Sequence, residues 1–177
     1  AAIVANRSED TSGQIILYTS KDGFTWHYET VLIKNENRFG KMWECPDFFT
    51  MGDCAVLITS PQEMLSRGRA FHNGFGNIYL TGSFDQETYR FTRKAVHAID
   101  FGLDFYAPQT MVTPDGRRIM SAWMQTPETM HRTPPGAKWF GQLTIPRELS
   151  EKDGLLIQRP IREIEAYRKD PVSYENV

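Results

Sequence analysis

Apolar and polar positions alternate along this chain in short runs, and helical spacing is scarce. The runs "AAIVAN", "QIILYTS", "WHYETVLI", "AVLITS", "NIYLTGS", "YRFTRKAV", "RRIMSAWM", "GQLTIPREL" and "GLLIQRP" are of strand length, many of them rich in β-branched and aromatic residues. Between them lie "KDG", "MGD", "PDG" and a second "KDG", all turn chemistry. The pattern predicts an all-β chain. One stretch near the end, "PIREIEAYRK", reads as helical.

The strands also repeat. "ILYTSKDGFTWHYE" from Ile16 matches "IYLTGSFDQETYRF" from Ile78, with Ser20 and Asp22 answering Ser83 and Asp85. "CPDFF" from Cys45 matches "APQTM" from Ala107, and "AVLITS" from Ala55 falls on "RRIMSA" from Arg117, each at a spacing of about 62. A unit of that length with about four strands fits a propeller blade. The chain holds just under three units, whereas closed propellers have about four to eight blades. The expectation is therefore an incomplete piece of a larger propeller.

Composition changes this picture little. Charged residues are 24% and hydrophobic residues 40%, an ordinary globular balance, and the formal charge of −2 gives no pull toward nucleic acid or anionic membrane. No apolar run approaches the roughly 20 residues of a membrane span. No basic-then-apolar leader opens the chain, so a reducing, cytoplasmic compartment is expected, although a longer N-terminus would hide such a leader. Cys45 and Cys54 make neither a disulfide framework nor a zinc pattern, and His27, His72, His97 and His131 lack metal-ligand spacing. No metal or other cofactor is expected.

"KMWECPDFF", residues 41–49, carries the candidate chemistry. If it opens a blade it is the innermost strand, and alternation sends Trp43, Cys45 and Phe48 or Phe49 into packing and Glu44 toward the axial pocket. Pro46 suits a strand only at an edge or a bulge. Desolvation favours the neutral form of a carboxyl, and a carboxylic acid that keeps its proton can act as a general acid. Position and chemistry alone leave open that Glu44 is half of a buried ion pair with an arginine across the blade.

"WECPDFF" resembles a signature motif of glycoside hydrolase family 32, the invertases, sucrose-6-phosphate hydrolases and fructan hydrolases. "VLITSPQ", "LDFYAPQTM", "GRRIMSAWM" and "GQLTIPREL" resemble further segments of that family in the same order, over about residues 1 to 165. The resemblance implies a five-bladed β-propeller followed by a β-sandwich. It assigns residues 1–165 to part of the propeller and residues 166–177 to the start of a linker, with the sandwich outside this chain. It gives Glu44 the acid/base role in retaining cleavage of sucrose, sucrose 6-phosphate or a related β-fructoside. The family's nucleophile, an aspartate in an Asn-Asp-Pro-Asn motif, has no counterpart here, nor has its Arg-Asp-Pro motif. Asp10 and Asp22 read as turn residues. The expectation is a fragment with one carboxylate of the catalytic set, inactive by itself. A non-catalytic sugar-binding propeller and a fructosyltransferase remain alternatives.

Further residues are candidates for sugar contact. Tyr106 stands one repeat after Glu44 and is placed either to orient Glu44 or a sugar hydroxyl or simply to build its strand. Asp104 is expected on the same strand face as Tyr106, toward the pocket mouth. Asp47 is either a sugar contact or an inter-blade hydrogen-bonding residue. Trp123 and Trp139 offer indoles for stacking or for packing. Cys45 is expected to be a small buried packing residue. "QTPETMHRTPPGAKW" reads as a rim loop that shapes leaving-group specificity. The partner these residues imply is a small sugar. Unpaired blade edges also lead us to expect self-association.

Overall fold

The computed structural model describes residues 1–175. Strands β1 (Ala2–Arg7), β2 (Gly13–Thr19) and β3 (His27–Lys34) form a first antiparallel sheet in that order. A second sheet runs β4 (Trp43–Met51), β5 (Cys54–Pro61), β6 (Ile78–Asp85) and β7 (Arg90–Ala98). A third runs β8 (Tyr106–Val112), β9 (Arg118–Trp123), β10 (Arg147–Lys152) and β11 (Leu155–Pro160). Each sheet is a meander, the make-up of a propeller blade, and the chain is a partial β-propeller of three blades. Residues 176 and 177 of the expected linker lie outside the described residues. The helical expectation shrinks to a 3-10 turn over Arg162–Tyr167, without a side-chain cap.

Two cores hold the blades together. Ile15, Leu32, Trp43, Ala55, Leu57 and Leu80 fill the gap between the first and second sheets. Phe49, Val56, Ile58, Phe105, Met120 and Leu149 fill the gap between the second and third. β5 contributes Ala55 and Leu57 to one core and Val56 and Ile58 to the other, so both its faces are covered. That explains why "AVLITS" reads as a nearly unbroken apolar run instead of an alternating one.

The repeat is visible in three dimensions, with one correction. Asp22 and Asp85 do the same work, each accepting backbone N–H bonds from the residues two and three positions on. β4 and β8 carry the same bulge. Cys45 and Pro46 face one residue of β5, and Ala107 and Pro108 face one residue of β9. Cys45 and Ala107 both take left-handed backbone, at φ 48° and 50°. The alignment of "AVLITS" with "RRIMSA", however, is one residue out. The turn after β4 has two residues between Met51 and Cys54, while the turn after β8 has three between Thr113 and Arg117. Phe48 pairs with Leu57 and Thr110 with Met120, so the second strands of the two blades are related by 63 residues. A one-residue slip reverses every side chain. The correct register puts Met120 and Leu57 on equivalent core faces, as found.

Candidate active site

β4 is placed from below by buried groups. Asn35 is fully buried and its amide donates to the carbonyls of Gly40 and Lys41, while its carbonyl accepts from Phe39 N. Gly13 N donates to Lys41 O, and a Cβ on Gly13 would lie 2.6 Å from Trp43 N. Trp43 is fully buried and its indole N–H donates to Phe39 O at 2.9 Å. With Trp43 fixed inward, the next side chain, Glu44, faces the other way and is half-buried.

The edges of β4 and β8 then meet. Tyr106 Oη donates to Glu44 Oε2 at 2.7 Å. Gln109 Nε2 donates to Cys45 O at 3.0 Å, and Thr110 N donates to Asp47 Oδ2 at 2.8 Å. Ser60, opposite Glu44 on β5, accepts from Ala107 N and donates to Asn77 Oδ1. Phe75 packs its ring edge-on to Tyr106. Burial first, and the hydrogen bond to Glu44 second, push the Tyr106 phenol far above the ordinary tyrosine range. The phenol therefore keeps its proton, for which Glu44 Oε2 and, at 3.3 Å, Ser60 O are the acceptors. Among the described residues no cation lies within ion-pair distance of Glu44. Its second oxygen, Oε1, has no protein partner there either. A half-exposed carboxyl held by one oxygen and open at the other can pass a proton to or from a ligand.

The other sequence candidates spread out from this seam. Asp47 is half-buried and spans the two blades through Thr110. Trp123 sits opposite Tyr106 in the β8–β9 register, so the two side chains share a face, and its indole N–H donates to Gln125 Oε1 at 2.9 Å. Asp104 does not share the Tyr106 strand. It lies in the bend before β8, exposed, and accepts from Thr129 Oγ1 at 2.7 Å. Trp139 stands apart on the rim loop. Cys45 is a correction: it is exposed at the bulge, because the left-handed turn swings it out of the alternation. Partial desolvation of the sulfur first, then the nearby Glu44 charge, push its thiol upward, which suits no nucleophile. Ser60, Asn77, Phe75 and Gln109 escape the sequence reading. The spacing of 62 that pairs Glu44 with Tyr106 was the available signal for the seam, but nothing local marks their partners.

β4 and β8 thus bring a carboxyl to the converging edges of adjacent propeller blades. The chain belongs to glycoside hydrolase family 32: residues 1–160 match the glycosyl hydrolases family 32 N-terminal domain. It is 40% identical over 167 residues to a raffinose invertase of Escherichia coli, covering 94% of this chain and 35% of that protein. It is 35% identical over 167 residues to a sucrose-6-phosphate hydrolase of Staphylococcus xylosus, covering 94% and 34%. A Bombyx mori family 32 β-fructofuranosidase variant solved in complex with sucrose superimposes with a TM-score of 0.87 at 31% identity, over 97% of this chain and 36% of that one. A sucrose-6-phosphate hydrolase from Lactobacillus gasseri does so at 0.78 and 28%, over 95% and 35%. The chain thus spans about a third of the length of the relatives it matches.

Proposed function

We propose that this chain supplies the acid/base half of a retaining β-fructofuranosidase site, with Glu44 as the general acid/base and sucrose, sucrose 6-phosphate or raffinose as the class of substrate. The reading rests on one observation: the Tyr106–Glu44 hydrogen bond where the two inner edges meet, with the second carboxylate oxygen unpartnered among the described residues. In the first step a nucleophilic carboxylate attacks the fructosyl anomeric carbon, the bond to the departing oxygen breaks, and Glu44 gives that oxygen its proton. In the second, Glu44 takes a proton from water as the water releases fructose. Retention requires two carboxyls about 5–5.5 Å apart. Asp10 and Asp22 are both occupied by their own turns, Asp10 with Ser8 and Ser12, Asp22 with Phe24 and Thr25. On this reading neither is the second carboxyl, and the chain alone is inactive. Tyr106 orients Glu44, and Asp47 holds the seam through Thr110 N.

The test is a transplant. This chain replaces the matching stretch of the Escherichia coli raffinose invertase, with which it shares 40% identity. A folded chimera should hydrolyse sucrose, and its Glu44→Gln variant should lose about 10²–10⁴ in rate. A folded chimera whose activity survives Glu44→Gln would remove the proposal.

A further inference from the structure

A single dipeptide at the end of β5 touches both halves of the Glu44–Tyr106 pair. Thr59 and Ser60 are adjacent and fully buried. Thr59 Oγ1 donates to the main-chain carbonyl of Glu44 at 3.0 Å. Ser60 Oγ accepts from Ala107 N at 3.1 Å. Ala107 follows Tyr106 in the β8 bulge and holds its left-handed backbone. One hydroxyl therefore fixes the backbone that carries the carboxyl, and the other fixes the backbone that carries its phenol donor.

The Ser60 hydroxyl has one proton to give. With Ala107 N donating to its oxygen, that proton goes to Asn77 Oδ1 at 3.0 Å. The bonds run one way, from Ala107 N through Ser60 Oγ to the buried Asn77. The hydroxyl cannot turn from the bulge without stranding a donor in the interior, which is costly.

The next blade separates positioning from fold-building. β8 carries the same bulge as β4, with the same left-handed residue. In the register that makes Met120 the counterpart of Leu57, Ala122 and Trp123 are the counterparts of Thr59 and Ser60. The third sheet thus builds this bulge with no hydroxyl at either position. The bulge by itself does not require the pair, and burying two hydroxyls is favourable only through the bonds they make. Those bonds go to Glu44 and to the residue after Tyr106.

We propose that Thr59 and Ser60 are positioning residues for the acid/base. Together they set where Glu44 Oε2 meets Tyr106 Oη, and so where Oε1 stands relative to the departing oxygen. The inference rests on the β-fructofuranosidase reading and assigns to it two residues buried out of reach of substrate.

Two measurements test it. In the 177-residue chain labelled at its glutamate carboxyl carbons, the Glu44 resonance is identified by its loss in Glu44→Gln. Thr59→Val and Ser60→Ala should each move that resonance toward its position in Tyr106→Phe, with circular dichroism unchanged. Thr59→Val keeps the β-branched shape, so it reads the lost bond even where Ser60→Ala fails to fold. In the raffinose invertase chimera, Ser60→Ala should lower kcat about tenfold and leave KM within about twofold, as expected for an interaction used in the transition state. In a Tyr106→Phe background the same change should cost less than about twofold, because the donor it positions is already gone. A Glu44 resonance unmoved in both variants, or a Ser60→Ala loss that multiplies with that of Tyr106→Phe, overturns the positioning role. Glu44→Gln keeps the two claims apart. A chimera that survives it removes the β-fructofuranosidase reading, whereas one abolished by Glu44→Gln but indifferent to Ser60→Ala and Thr59→Val removes only the role of the dipeptide.

Discussion

Tyr106 is the residue on which the Glu44 geometry turns, and its ionisation offers a check that needs no turnover. Burial first, then the bond to Glu44, hold its phenol protonated far above the ordinary range. In the unfolded chain the phenol ionises near its usual value of about 10. Below that pH both states keep the proton, and the full stabilising contribution is present. Above it the unfolded state releases the proton and the folded state does not, so stability falls as pH rises. Denaturant melts between pH 8 and about 11.5 should show wild type losing more stability above about pH 10 than Tyr106→Phe does. Parallel decline of the two proteins would mean that Tyr106 is not buried against the carboxylate. The same residue shows how sequence carries a site: Tyr106 and Glu44 are related by the repeat, so their meeting was legible. Ser60 and Asn77, which brace them, were not, because hydrogen bonds between strands brought together only by folding leave no local pattern.

At the scale of elements, the paired bulges of β4 and β8 aim the two side chains at each other. Ala107 holds a left-handed conformation that costs an alanine about 1–2 kcal/mol. Ala107→Gly should relieve it and, after the larger entropy of the unfolded chain, stabilise by about 0.5–1 kcal/mol, a rise of a few degrees in Tm. A lower Tm would show that the bulge is not strained. Gly82 is the converse case. It sits at the β6–β7 irregularity, where a Cβ would collide with the Thr92 carbonyl oxygen. Gly82→Ala should destabilise by about 1–3 kcal/mol in the same melts. The strands themselves were legible because side-chain alternation records which face is buried. The bulge was legible only as a proline needing an edge or a bulge, and its consequence, the exposure of Cys45, was not. The register of β9 was misread because one added turn residue leaves the apolar count unchanged while reversing the faces. Asp104 was misplaced for a related reason: "LDFYAPQ" reads as one strand, but the chain enters the sheet only at Tyr106.

At the scale of the molecule, three blades leave two outer faces. The first sheet presents Val4, Tyr18 and Tyr28, with Tyr28 58% exposed. The third presents Met111, 67% exposed, beside Ile119. Apolar outer faces and unpaired edges drive association. We expect analytical ultracentrifugation of the 177-residue chain to show concentration-dependent oligomers; a clean monomer at all concentrations would contradict this. The match to family 32 over residues 1–160 fixes the architecture, and the acid/base role of Glu44 is the claim on which the proposed function stands. Its most direct test compares two leaving groups in the chimera. Glu44→Gln should cost about 10²–10⁴ in kcat/KM on sucrose, whose departing oxygen needs a proton, and far less in kcat/KM, which reports the first step, on a nitrophenyl β-fructoside, whose departing oxygen does not. Equal losses on both substrates, or none on either, would contradict the assignment.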